Sequence, residues 1–172
     1  MSTRKSIYHL TKGIRDRLDA FIMRFSLLPD LAVFDPHVMF WVKELEQNWE
    51  RIRDEAIRLG GEDIPSLGDI SPDHGRIAAD RRWRSFFLEG YGYQRQENRA
   101  RVPVTSALID RIPNLCTATF SVLEPGCHIP RHRGMTKAML TYHLALHVPR
   151  DREKCWIQIE DHGQMHVHPW SA

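Results

Sequence analysis

The stretch "FSVLEPGCHIPRHRG", residues 120–134, joins a strand-like apolar run to a turn and a group of histidines. Pro125-Gly126 is a turn signal, because proline presets one backbone angle and glycine accepts the positive φ that many turns need. His128 and His132 follow this turn. Imidazole is a common ligand of zinc, copper, iron and nickel. The stretch therefore predicts a strand that ends beside either a metal site or ordinary surface histidines.

The segment "AMLTYHLALHV", residues 138–148, has the most regular alternation in the chain and predicts a long strand. Side chains of a strand point alternately to its two faces. One face is entirely apolar here and has to pack against another part of the protein. The other face includes Thr141, His143 and His147, and it either meets solvent or lines a pocket. A barrel mouth lined by histidines and a surface with ordinary histidines are the two interpretations.

Shorter strand patterns lie at residues 83–92, 116–123 and 154–160, and turn residues separate them. Several short strands of this kind predict an antiparallel sandwich or barrel. We therefore expect a mainly β fold that is preceded by helices.

Residues 6–30 predict an amphipathic helix with one apolar and one basic face. It either docks on the rest of the protein or lies on a membrane surface. A second helix is expected to start with Asp35 as its cap and Pro36 as its first residue, and to stop at Gly60-Gly61. Its apolar stripe is predicted to be core. A polar loop then separates a helical segment, residues 1–75, from a strand-rich domain, residues 76–172.

The composition is that of a globular chain of 172 residues, of which 42% are hydrophobic. A net charge of +2 without a basic stripe gives no indication of a nucleic-acid partner. The sequence shows neither an apolar run of membrane-spanning length nor a secretory signal. The three cysteines lack metal-binding spacing. We interpret them as reduced thiols and expect a cytoplasmic protein, with peripheral contact at the inner membrane as an option.

Three segments together resemble the aspartyl/asparaginyl β-hydroxylase family. They are "WRSFFLEG" at residues 83–90, "PVTSALIDRIPN" at 103–114 and the run from 120 to 149. The family includes peptidyl aspartate/asparagine hydroxylases and bacterial lipid A 2-hydroxylases, and the resemblance extends from Phe34 to the C-terminus. It implies a double-stranded β-helix, a cupin-like jelly roll. It also implies an Fe(II)- and 2-oxoglutarate-dependent dioxygenase, which uses O2 to hydroxylate an unactivated C–H bond of a peptide or a lipid acyl chain.

The resemblance also implies roles for individual residues. His132 matches the first iron ligand and is a catalytic residue, and Ser121 matches a serine that holds 2-oxoglutarate. His143 matches a histidine of the pocket strand and is a candidate for catalysis and co-substrate binding. Thr141 stands where the peptidyl hydroxylases have an arginine for 2-oxoglutarate; threonine can bond a carboxylate but cannot neutralise it. Gly134 fits a family whose iron site uses two histidines and no carboxylate.

In the family, the second iron histidine and a further arginine for 2-oxoglutarate follow the turn that Trp170 resembles. We therefore expect a C-terminally truncated jelly roll that lacks its last strands and is poorly active alone. The alternatives are a non-catalytic β-barrel that binds a partner or a metal, and a zinc-dependent cupin-like hydrolase. A metal site in the tail would use His162, His166 and His168. Arg131 and Arg133 either contact an anionic substrate or are ordinary surface residues.

Overall fold

The computed structural model describes residues 2–60, 64–70, 77–78, 81–134, 136–161 and 163–170, with side chains from residue 13 onwards. Spatial contacts divide the chain into two compact units. The first unit comprises Met1–Phe34 and Arg133–Tyr142, and the second comprises Asp35–His132 and His143–Ala172. Residues 71–76 lie outside the described residues, so the predicted domain boundary between residues 75 and 76 stays a prediction.

The first unit contains one long helix, α1, which spans Ser2–Met23 and confirms the first predicted helix. The backbone leaves α1 through tight i→i−3 bonds that the N–H groups of Arg24 and Phe25 donate. The Ser26 hydroxyl then bonds both backbone groups of Leu28 and turns the chain away from the helix axis. Among the described helices, none combines the length and the apolar character that crossing a bilayer requires.

The second unit begins with three short helical pieces where the sequence predicts one long helix. Asp35 accepts a hydrogen bond from the His37 N–H at 2.9 Å and caps a 3₁₀ turn, Pro36–Val38. Two α-helices follow, α2 at Val42–Gln47 and α3 at Trp49–Arg58. The prediction of a continuous helix is therefore wrong, although its capping residue is confirmed.

Asn48 is the physical cause of the break between α2 and α3. Its backbone has a φ of −108° and a ψ of 11°, which is not helical. Its side-chain amide donates to the carbonyl of Glu44 at 2.9 Å, in competition with the helical backbone bonds. The predicted apolar stripe is nevertheless core, since its most buried members are Val42, Leu45, Ile52 and Leu59.

The strands form two small antiparallel sheets. The larger sheet has the order β2-β1-β3 and contains β1 (Trp83–Gly90), β2 (Tyr93–Gln94) and β3 (Thr117–Leu123). The smaller sheet pairs β4 (Trp156–Asp161) with β5 (Gln164–Pro169). Three further helices are α4 (Leu67–Ile70), α5 (Gln96–Arg101) and α6 (Pro103–Ile109), and a 3₁₀ turn spans Arg152–Lys154. All three predicted short strands are thus confirmed.

The core of the second unit lies between the larger sheet and these helices. Phe86 and Leu88 of β1 are buried, as is Phe120 of β3. Glu55 of α3 is only 1% exposed, and its carboxylate accepts bonds from Val104 N–H, Thr105 N–H and the Thr105 hydroxyl. A buried carboxylate satisfied in this way ties α3 to the first turn of α6.

The long strand predicted at residues 138–148 is not formed. Within the described residues, positions 139–149 belong to no strand, and Leu140 of the predicted apolar face is 51% exposed. An alternating pattern specifies the faces of a strand, but a strand is stable only when its backbone groups pair with a neighbour. No described segment pairs with these residues, so their alternation is not expressed as a strand.

The mainly β fold class is corrected accordingly. The described residues contain more helix than strand, and the strands occur in small antiparallel sheets, so the chain is a mixed α/β protein. Helices α5 and α6 lie between β2 and β3, where the sequence patterns indicated no element. The double-stranded β-helix stays a prediction.

Candidate functional site

The predicted turn at Pro125-Gly126 is confirmed, and two hydrogen bonds hold it in place. The Cys127 N–H donates to the Glu124 carbonyl at 2.9 Å, which closes a four-residue turn. Gly126 has a φ of +74°, a conformation that favours glycine. Arg82 donates from Nη1 to the Gly126 carbonyl at 2.8 Å. The turn therefore has a fixed geometry where the chain leaves β3.

Ser121 lies on the exposed face of β3, next to Phe120, which faces the core. Its cross-strand partner on β1 is Ser85. The indole Nε1 of Trp83 lies 3.4 Å from the Ser121 hydroxyl oxygen and donates a long hydrogen bond to it. The alternation of β3 thus presents the predicted co-substrate serine on the outer face of the sheet, where its hydroxyl can still donate.

His132 is exposed in the loop that follows the turn. Its Nδ1 lies 2.9 Å from the Pro130 carbonyl oxygen, which can only accept, so Nδ1 carries the proton. This tautomer leaves the lone pair of Nε2 available. Histidines that bind metals usually donate their other ring N–H to such an oxygen. This contact is therefore compatible with metal binding by His132 through Nε2, whereas His128 is exposed without a comparable contact among the described residues.

His143 lies beside Trp170 in the second unit. Their ring centroids are 5.5 Å apart at an interplanar angle of 76°, an edge-to-face contact. Trp170 is held in place after β5 because its main-chain N–H donates to the Cys155 carbonyl at 3.0 Å. Crowding by surrounding atoms lowers the pKa of His143 below its ordinary value of about 6.5, although the residue as a whole is exposed. The imidazole is therefore neutral at neutral pH.

Thr141 is exposed and belongs to the segment of the first unit that follows His132. Its predicted position on one face with His143 depended on the strand at residues 138–148. Because that strand is not formed, the shared role of Thr141 and His143 in holding 2-oxoglutarate stays a prediction.

The described contacts do not join the predicted site residues to one another. Among the described residues, no three His, Cys, Asp or Glu side chains are placed to hold one metal ion. The described contacts of Ser121, His132 and His143 join each to another neighbour, and not to one another. The described donor set does not by itself complete an iron site.

The tail that carries the other candidate ligands is a paired strand. His166 and His168 lie two residues apart in β5, opposite Ile159 and Ile157 of β4, so they share a face as predicted. All described residues of β5 are exposed. His162 lies outside the described residues.

Arg131 and Arg133 are both engaged in ion pairs. Arg131 pairs with Glu160, and the Nη1 of Arg133 lies 2.5 Å from an Asp16 carboxylate oxygen. Their charges are therefore partly satisfied within the protein, which favours the interpretation as ordinary surface arginines over binding of an anionic substrate.

Asp19 is a residue that the sequence analysis missed. It is 3% exposed on α1, and its Oδ1 accepts bonds from the Thr136 hydroxyl at 2.9 Å and the Lys137 N–H at 3.0 Å. Arg133 approaches its Oδ2 at 3.4 Å. The bond from the Lys137 N–H lowers the pKa of Asp19, helped by Thr136 and Arg133 and opposed by burial. We call these contacts the Asp19 clamp; they hold the segment directly after His132 against α1.

A comparison with known families now identifies the chain. A sequence profile described as aspartyl/asparaginyl beta-hydroxylase matches residues 46–170. The chain belongs to this family. The matched region of this family member includes Ser121, His132, Thr141 and His143, whereas α1 precedes it. The resemblance inferred from the three sequence segments is thus confirmed.

Curated relatives carry hydroxylase names. An ornithine lipid ester-linked acyl 2-hydroxylase of Rhizobium tropici is 36% identical over 141 residues, covering 81% of this chain and 50% of that protein. The aspartyl/asparaginyl beta-hydroxylase of Homo sapiens is 30% identical over 116 residues, covering 64% of this chain and 15% of that protein. The chain thus spans about half the length of the first relative and a smaller part of the second. No solved structure matches it.

Proposed function

We propose that this family member hydroxylates the acyl chain of a membrane lipid, with Fe(II), 2-oxoglutarate and O2 as requirements. The observation that carries the proposal is the match to a lipid acyl 2-hydroxylase over 81% of the chain. The human peptide-type relative matches at lower identity and over less of the chain, which makes a peptidyl aspartate or asparagine the second choice.

Each candidate residue would contribute a different property. His132 would bind iron through Nε2, because the Pro130 carbonyl holds the proton on Nδ1. Ser121 would donate its hydroxyl to a carboxylate of 2-oxoglutarate, and Thr141 would add a neutral hydrogen bond. His143 is neutral and can accept a proton or a hydrogen bond. Bound iron would allow O2, the oxidant, to react with 2-oxoglutarate, so that one oxygen atom enters the unactivated C–H bond and the other enters succinate, with release of CO2.

The double-stranded β-helix is part of this proposal. Its support is the family membership, together with the antiparallel pairing of β1 with β3 and of β4 with β5. We expect low turnover from the 172 residues alone, since His132 is the one iron ligand that the family resemblance assigns to them.

The test uses vesicles that contain a lipid with ester-linked acyl chains, together with Fe(II), 2-oxoglutarate and O2. Mass spectrometry measures acyl chains that have gained one oxygen atom, and succinate release is measured in parallel. His132→Ala should abolish the product, whereas the matched loop variant His128→Ala should retain it. A peptide bearing aspartate and asparagine replaces the lipid in a second reaction.

Expression in bacteria that make the unhydroxylated lipid extends the test to cells. Slow formation of hydroxylated lipid that depends on His132 would support the proposal. Oxygen insertion into the peptide but not the lipid would refute the lipid substrate. Product formation by His132→Ala would refute the role of that residue, and fast turnover would refute the expectation of low activity.

A further inference from the structure

Helix α1 and the tight turn directly after it present an exposed apolar face. Its described members recur at helical spacing and are 55% to 72% exposed: Ile14, Leu18, Phe21 and Phe25. The rings of Phe21 and Phe25 contact each other edge to face, with centroids 5.2 Å apart. We call these four residues the α1 apolar face. Contiguous apolar surface of this kind commonly marks a site of interaction with a protein or a membrane.

The exposed apolar surface continues beyond the end of α1. Leu27 is fully exposed, and Leu31 and Val33 are each exposed by more than two fifths. Exposure of these apolar side chains to water is energetically unfavourable. A partner that accepts both this loop and the α1 apolar face has to be broad and apolar rather than a narrow pocket.

Arginines border the α1 apolar face on both sides. At about 100° per residue, Arg17 and Arg24 fall along one margin of the apolar face, and Arg15, whose Nε lies 3.9 Å from an Asp16 carboxylate oxygen, falls along the other. Arg17 and Arg24 are exposed and form no ion pair with a described residue. Residues 1–34 contain six Arg or Lys and three Asp or Glu, a formal charge of +3.

The three acidic residues of this segment are all engaged in ion pairs. Asp16 and Asp19 lie on the side of α1 away from the apolar face, where they bind Arg133, and Asp30 pairs with Lys137. The negative charges therefore do not oppose an anionic partner at the apolar face. The helix thus has an apolar face with arginines along its margins. The aspartates on the opposite face are already paired with other residues of the protein.

We propose that the α1 apolar face docks on the surface of an anionic phospholipid bilayer, with α1 lying in the plane of the interface. An amphipathic helix with a basic border inserts its apolar side chains between lipids, while long arginine stems keep their guanidinium groups among the phosphates. A second copy of this chain fits less well, because two such faces would bring like-charged arginine margins together.

This inference rests on the proposed function in one respect only: a lipid hydroxylase benefits from binding to a bilayer. Binding to vesicles is measured without iron or 2-oxoglutarate, so it can succeed or fail independently of hydroxylation. The measurement is co-sedimentation of the chain with vesicles of phosphatidylcholine, with and without phosphatidylglycerol.

The test variants are Phe21→Ser with Phe25→Ser for the apolar face, and Arg17→Glu with Arg24→Glu for the margin. The controls are Ile57→Ser, which is 61% exposed on α3, and Arg58→Glu, which is exposed at the end of α3. Circular dichroism establishes that each variant keeps its helix content.

The chain should bind vesicles that contain phosphatidylglycerol and release them at high salt. The double phenylalanine variant should bind at least about tenfold more weakly, because each phenylalanine removes a large buried area. The arginine variant should lose its preference for anionic lipid, and both controls should bind as the parent chain does. Unchanged binding by both test variants, or self-association through Phe21 and Phe25 in place of vesicle binding, would overturn the proposal.

Discussion

The carboxylate of Asp19 accepts a hydrogen bond from the main-chain N–H of Lys137 at 3.0 Å, although the two residues are 118 positions apart in the sequence. This bond holds the segment that follows His132 against α1. A side chain in the N-terminal helix thus determines the position of backbone beside the predicted iron ligand, and this contact can be tested independently of activity.

Replacement of Asp19 by alanine should loosen the segment Arg133–Tyr142. The change leaves the Lys137 N–H and the Thr136 hydroxyl without their acceptor, at a cost of about 1–3 kcal/mol. Hydrogen exchange at the Lys137 amide should become faster, while exchange in β1 and β3 should not change. Asp16→Asn is the comparison variant, because Asp16 pairs with the Arg133 side chain of the same segment but does not bind the Lys137 amide. Equal protection of Lys137 in the parent and in Asp19→Ala would contradict the clamp.

Acid should release the same segment. The pKa of Asp19 is lowered in the folded chain, so its ionised form stabilises the clamp at all pH values above the ordinary carboxyl pKa of about 3.9. This stabilisation is lost as the pH falls from that value through the lowered pKa of the folded state. Protection of the Lys137 amide, measured from pH 6 downward, should therefore persist at pH 5 and decline at about pH 4 and below. A decline centred near neutral pH would point to a histidine instead.

Trp170 should control the protonation of His143. Because burial lowers the pKa of His143, removing the indole by Trp170→Ala should admit water and raise that pKa towards about 6.5. In the parent chain, stability contributed by neutral His143 should decrease as the pH falls below about 6.5, and level off below the lowered pKa. NMR titration of the imidazole resonances measures both effects, with exposed His128 as the internal reference. An identical His143 titration in Trp170→Ala would refute this role of the tryptophan.

Gly126→Ala should destabilise the second unit by roughly 1–2 kcal/mol. Gly126 has a φ of +74°, and a Cβ there would lie 2.8 Å from Arg82 Nη1. The control is Gly134→Ala, since a Cβ at Gly134 meets nothing within 4 Å. Urea unfolding curves of the two variants should differ in midpoint by the corresponding amount. A larger destabilisation by Gly134→Ala than by Gly126→Ala would contradict the conclusion that the turn at Gly126 stabilises this loop.

Features of the fold that depend on neighbouring residues were predicted from the sequence. The Asp35 cap, the Pro125-Gly126 turn and the short strands β1, β3 and β4 all belong to this group. Each is decided by contacts within a few residues or by a short repeating pattern. The apolar periodicity predicts one helix where Asn48 breaks it into two, because the hydrogen bond from the Asn48 side chain to a preceding carbonyl does not change the spacing of the apolar residues.

Features that depend on distant partners were not predicted. The pattern at residues 138–148 specifies two faces but not the neighbour that a strand needs, and no described segment supplies one. The Asp19 clamp joins residues that are more than 110 positions apart, and no short sequence pattern indicates such a contact. The roles of Ser121, His132, Thr141 and His143 came from family resemblance, and their assembly into one site stays a prediction.

The clamp has a consequence for shortening the protein. The family match begins at residue 46, whereas the carboxylates that bind Arg133, Thr136 and Lys137 belong to residues 16, 19 and 30. A chain trimmed to the matched region would keep every predicted site residue and lose the acceptors that anchor the backbone next to them. The minimal folding unit of this family member thus starts earlier than its recognisable family region, and a deletion series from the N-terminus should lose order after His132 before it loses the sheet.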